Sequence, residues 1–160
     1  YEEAFGTHCG RQAALDRLCE LLLIRLLRHC LDRGLTQGGT LAAMADPRLA
    51  KAIVALHEQA ARPWSLEEMA DLAGMSRARF AVHFRETVGE TPADYLTAWR
   101  VTLAQQLLRA GRPLKHIAHD VGYASPSALT RAFIRKTGAA PTHWLRRIDP
   151  AASHDGAPAG

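Results

Sequence analysis

The sequence predicts an all-α protein: two helix-turn-helix subdomains joined by a long linker helix and preceded by a Leu-rich helix. Three observations carry this reading. Apolar residues recur at three- and four-residue spacing, and no stretch shows the period-two alternation of a half-buried strand. A segment of about thirty residues occurs twice, once from Leu66 and again from Leu114. Basic charge gathers where that repeat lies: positions 49–148 hold fourteen Lys or Arg against eight Asp or Glu, net +6, whereas positions 1–48 hold six of each.

Composition limits the class. Of 160 residues, 48% are hydrophobic and 22% charged, the balance of a folded globular chain and not of a disordered, collagen-like or membrane-bundle one. The last twelve residues, 149–160, carry two acids and no Lys or Arg and read as a disordered tail. A neutral, a basic and a small acidic segment in succession imply that the middle one meets a polyanion. Cys9, Cys19 and Cys30 cannot all pair with one another, which fits reduced cytoplasmic thiols better than a disulfide framework. Starting at Tyr1 without a signal-peptide pattern, the chain reads as a fragment or processed form of a cytoplasmic protein. The apolar run Leu18–Leu31 is too short to span a bilayer and is broken by Glu20, Arg25 and Arg28.

The first element predicted is a helix from Arg11 to Arg33, closed by Gly34. Leu15, Leu18, Leu22 and Leu26 form one stripe, and Cys19, Leu23, Leu27 and Cys30 a second beside it. That is more apolar surface than a helix resting on one core uses. It suits a helix buried in a larger domain, or a subunit interface, or both. Residues 34–46, with Gly38-Gly39, read as a linker that completes a first region, 1–46. Asp46 and Pro47 are an N-cap and a first helical residue, and that helix runs to about Ala60, stopped by Arg62-Pro63.

The repeat follows. Leu66, Met69, Ala70, Ala73 and Gly74 match Leu114, Ile117, Ala118, Val121 and Gly122 at an offset of 48. After one inserted residue, Ala124, the offset is 49, and Ser76, Phe80, Phe84, Gly89, Pro92 and Leu96 match Ser125, Leu129, Phe133, Gly138, Pro141 and Leu145. Tyr95 matches Trp144 as an aromatic. Each copy reads helix, tight turn, helix. Ser65 with Glu68 forms a capping box, Gly74 and Gly122 turn the chain, and Ser76 and Ser125 cap the second helices. One helix-turn-helix pattern is weak evidence; two in register in a basic segment point to duplex DNA. Between the copies, Pro92–Arg109 reads as a long helix, able to hold two reading helices about one duplex turn, roughly 34 Å, apart.

A helical wheel shows which residues face outward. In the helix Arg77–Val88, Phe80, Phe84 and Val88 mark the buried side. Ala78, Val82 and Arg85 lie opposite, flanked by Arg79, Ala81 and Glu86. In the helix 126–137, Leu129 and Phe133 mark the core, with Ser127 and Arg131 opposite, flanked by Thr130 and Arg135.

These residues resemble the DNA-binding domain of the AraC/XylS family of bacterial transcription regulators. The motifs are Trp64-Ser-Leu-Glu-Glu-Met-Ala through Gly74-Met-Ser76, Phe80-x3-Phe84-x4-Gly89-x2-Pro92, Tyr95–Arg100, Ile117–Tyr123 and Phe133-x4-Gly138-x2-Pro141. The resemblance covers about residues 47–147 and implies a bipartite domain, 47–148, of about seven helices that enters two successive major-groove segments. It implies that residues 1–46 are the end of a sensor and dimerisation region, of the cupin-containing kind. It places the base-reading positions at Ala78, Ala81 and Val82 and at Ser127, Thr130 and Arg131, in agreement with the wheel. Arg131 has the chemistry for a bidentate contact to guanine, whereas Val82 and Ala81 offer only apolar contact, as to a thymine methyl. Arg77, Arg79, Arg85, Arg100 and Arg135 are candidates for phosphate, with a structural salt bridge as the alternative for Arg100. The partners implied are double-stranded DNA, a second copy through Leu15, Leu18, Leu22 and Leu26, and RNA polymerase, for an activator at the bacterial nucleoid.

Other chemistry finds little support. His116-x-x-His119 has a spacing that can face a metal, but the matching first-copy residues are Glu68 and Asp71, which indicates a solvated helix face. His8-Cys9 and His29-Cys30 lack zinc spacing, and no phosphate loop, carboxylate pair or nucleophile elbow occurs, so no cofactor, metal or catalytic residue is assigned. Trp64, Trp99 and Trp144 read as core anchors and not as a platform for single strands. The competing function is a protein-interaction or dimerisation module without DNA readout.

Overall fold

The computed structural model describes residues 14–22, 24–25 and 39–148, all of whose regular structure is helical. Residues 14–22 and 24–25 form α1. The others are α2 (Thr40–Ala45), α3 (Pro47–Glu58), α4 (Leu66–Leu72), α5 (Arg77–Val88), α6 (Pro92–Arg109), α7 (Leu114–Asp120), α8 (Pro126–Thr137) and α9 (Pro141–Ile148). Among the described residues no helix is long and apolar enough to cross a membrane. The rest of the predicted Arg11–Arg33 helix, including Leu26 and Cys30, lies outside the described residues, as do Cys9 and the tail 149–160.

Two cores organise the fold. In the first, Leu49, Ile53 and Leu56 of α3 meet Met69 and Ala70 of α4 and Phe80 and Phe84 of α5. In the second, Ile117 and Ala118 of α7 meet Leu129 and Phe133 of α8. The long helix α6 serves both, giving Tyr95 and Leu96 to the first and Val101, Ala104 and Leu108 to the second. It therefore joins the subdomains by shared packing.

The sequence repeat is a structural one. Ser76 and Ser125 cap α5 and α8, Gly74 and Gly122 both have positive φ, and Pro92 and Pro141 both open the following helix. Tyr95 meets Phe84 edge-on at 5.6 Å, and its counterpart Trp144 meets Phe133 edge-on at 5.5 Å. The capping box forms, with Ser65 Oγ accepting from the Glu68 amide and the Glu68 carboxylate from the Ser65 amide. The tryptophans pack as anchors: Trp64 and Trp144 lie half-buried on the two cores, and Trp99 stacks on His57 at 3.9 Å.

Two expectations change. The segment 34–46, read as a linker, contains α2, which buries Ala43 and packs against α3 and α5. The Gly39 amide donates to the Thr87 carbonyl at 3.0 Å, tying the start of α2 to the end of α5. Six residues are too few to show a periodicity, and the adjoining Gly38-Gly39 is a loop signal. The second concerns Arg100, whose guanidinium is engaged by backbone carbonyls and, among the described residues, not by a salt-bridge carboxylate. Its Nε donates to the Ala60 carbonyl at 2.7 Å and its Nη2 to the Arg62 carbonyl at 2.8 Å. Partial burial lowers the pKa of this half-buried guanidinium.

Candidate nucleic-acid interface

The second helix of each unit is built to show one face. Ser76 Oγ accepts from the Arg79 amide at 3.4 Å, and Ser125 Oγ from the Ala128 amide at 3.2 Å, fixing where α5 and α8 begin. Phe80, Phe84 and Val88 then turn one side of α5 inward, and Leu129, Ala132 and Phe133 do the same for α8. On α5 this leaves Ala78 and Val82 exposed and Ala81 half-buried; on α8 Ser127 and Arg131 are exposed and Thr130 half-buried. The six predicted base readers thus fall in two groups of three, one on each helix.

Val82 is 56% exposed, a large apolar side chain on an outward helix face. A cleft on one side of it is lined by Ala78, Arg79, Glu86 and, from the start of α3, Arg48. A cleft on its other side is lined by Ala81 and Arg85 together with Leu66 and Pro92. Val82 thus lies between Arg48 and Arg79 on one side and Arg85 on the other. Sequence reasoning missed Arg48. The available signal was a cation in the first turn of a helix, where it opposes the helix dipole and so does not serve the helix itself.

The charges on these faces are unneutralised. Arg77, Arg79, Arg85, Arg131 and Arg135 are exposed, and none has a carboxylate within salt-bridge distance among the described residues. By contrast, Arg62 pairs with Glu68, Arg112 with Asp120 at 3.0 Å and Lys136 with Glu90 at 3.0 Å. In the second unit, Lys115, His116 and His119 line a cleft with Ser125 and Pro126 at the start of α8. The His pair thus shares that cleft with the Arg112–Asp120 ion pair.

One contact ties α5 to the start of α3 beside the Val82 cleft. His83 Nε2 donates to Asp46 Oδ2 at 2.6 Å, while Asp46 Oδ1 accepts from the Arg48 amide at 2.8 Å. The hydrogen bond from His83 is the main influence holding the Asp46 carboxyl below its ordinary pKa, against partial burial. The N-cap of α3 is thus also a brace for α5.

Known proteins share this arrangement. A family model described as a helix-turn-helix domain matches residues 69–147. An AraC-like transcription regulator of Streptomyces lividans is 44% identical over 133 residues, which is 82% of this chain and 44% of that protein. The RCS-specific HTH-type transcriptional activator RclR of Escherichia coli K12 is 34% identical over 148 residues, 92% of this chain and 52% of that protein. This chain spans about half the length of such curated relatives. Among solved structures, the DNA-binding domain of the global transcriptional factor AdpA, in complex with a target DNA, aligns with a TM-score of 0.59 at 30% identity. That alignment covers 64% of this chain and 96% of that one.

Proposed function

The chain belongs to the AraC-type family of helix-turn-helix transcription regulators, and from that premise we propose that it is a sequence-specific double-stranded DNA-binding regulator. In this reading α5 and α8 enter two successive major-groove segments. Arg131 reads guanine, with Ser127 and Thr130 beside it. Ala78, Ala81 and Val82 make apolar contact with the other half-site. Arg77, Arg79, Arg85 and Arg135 hold phosphates, joined by Arg48. Exposed Leu15, Leu18 and Leu22 of α1 supply a surface for a second copy of the chain. Contact with RNA polymerase, activation and association with the nucleoid are part of the same reading.

The observation that carries it is the set of exposed arginines on α5 and α8 that no carboxylate neutralises among the described residues. The test is a titration with random-sequence duplex at about 50 and 200 mM salt. Five phosphate contacts give a log–log slope of about −4.5, hence roughly a five-hundredfold loss of affinity across that interval. Affinity that ignores salt would favour a protein-interaction module and overturn the reading.

A further inference from the structure

The two helix-turn-helix units are keyed to each other at a contact that the repeat itself does not require. Gly74 and Gly122 occupy equivalent turns, with φ of +61° and +83°. Around Gly74 a Cβ would meet nothing within 4 Å. At Gly122 it would lie 2.5 Å from the carbonyl oxygen and 2.8 Å from the Cα of Ala61, in the connection between α3 and α4 of the other unit. Backbone thus rests on backbone across the two units. Arg100 grips the same connection from α6 through the carbonyls of Ala60 and Arg62, and its guanidinium also lies 5.6 Å from the Tyr123 ring, next to Gly122. A third link joins the reading helices more directly: Lys136 of α8 meets Glu90, just beyond the end of α5, at 3.0 Å.

From this we infer that the seat of Gly122 on Ala61, pinned by Arg100, sets the relative placement of α5 and α8 and hence the half-site spacing that the protein accepts. Gly122, Ala61 and Arg100 are positioning residues here; none touches a base. The inference rests on the DNA-reading function proposed above. A methyl at Gly122 must retreat by about 1 Å to reach ordinary contact with Ala61. Recognition groups have to be held to about 0.5 Å, so a displacement of that size is felt at the second half-site. Gly74→Ala also puts a side chain at a positive φ, nearer the left-handed minimum and without the collision, which makes it the control for the collision.

The experiment uses the full chain and the duplex it selects from a random pool. That duplex is compared with versions in which one half-site is scrambled and with a series whose half-site spacing changes by one base pair at a time. Gly122→Ala should lose at least tenfold of the advantage of the two-part site over a single half-site, while holding a single half-site within about threefold of wild type. Its preferred spacing should shift or flatten. Gly74→Ala should keep both the advantage and the spacing. Arg100→Lys, which keeps the charge but cannot span two carbonyls, should resemble Gly122→Ala in milder form. Equal behaviour of Gly122→Ala and Gly74→Ala would overturn the inference. A second measurement needs no DNA. Spin labels at Asp71→Cys and His119→Cys, with Cys9, Cys19 and Cys30 replaced by Ser, should give one narrow distance that Gly122→Ala moves or broadens. An unmoved distance would overturn the joint. A joint that moves in a chain with no sequence preference would overturn only the DNA reading.

Discussion

Arg131→Ala separates base reading from simple charge. Arg131 is exposed on α8 and has no carboxylate partner among the described residues, so its loss removes neither packing nor an internal ion pair. Stability should stay within about 0.5 kcal/mol of wild type. A bidentate contact to guanine carries about 1–3 kcal/mol of discrimination, which is roughly 5- to 150-fold in affinity at one base pair. Fluorescence anisotropy on the selected duplex, with each position carried through all four bases, reads this directly. The variant should bind the selected site 5- to 150-fold more weakly, keep most of its affinity for random duplex, and lose preference at one position. Arg85→Ala is the contrast. It should weaken every sequence alike and flatten the log–log salt slope by about one unit, since a phosphate contact carries no sequence information. Equal loss by Arg131→Ala on selected and random DNA would refute the assignment and move specificity to other residues or to DNA shape.

Further expectations concern the fold and assembly. Arg100→Met removes two charged hydrogen bonds to carbonyls at a half-buried site and should destabilise the protein by about 1–3 kcal/mol in a denaturant titration; an unchanged midpoint would contradict the structural role. Burial lowers the pKa of His57 below 6.5, so the unfolded chain binds that proton more tightly than the folded one. His57 should therefore leave stability level above pH 6.5 and reduce it as pH falls from there through the folded value, and His57→Leu should show a shallower acid-side decline. If α1 joins two copies, the full chain should associate with concentration in sedimentation, and Leu18→Glu with Leu22→Glu should leave a monomer. Two monomers would remove the dimer proposal.

Much of this fold was legible because its signals are local and doubled. Ser76 and Ser125, Gly74 and Gly122, and the aromatic pairs of Tyr95 and Trp144 recur at an offset of 48 that becomes 49 after Ala124, so each copy supports the reading of the other. The outward faces of α5 and α8 followed from their buried phenylalanine and leucine positions by helical geometry alone. What escaped depends on distance in the chain. Arg100 looks like a surface cation on a helix, and only the fold brings it to carbonyls forty and thirty-eight residues away. Arg48 joins the α5 cleft because Asp46 is bridged to His83 across thirty-seven residues. The difference between Gly74 and Gly122 is likewise invisible in two equivalent motifs, since it comes from Ala61 in the opposite unit.

On the proposed function, one chain reads duplex DNA at two places with two helices held in fixed relation, and selection of duplexes from a random pool decides whether it does. The enriched sequences should contain two short conserved blocks, one with an essential guanine, at a constant centre-to-centre spacing of about 10–10.5 base pairs. A pool that shows no enrichment, or one contiguous block without a spaced partner, would contradict it.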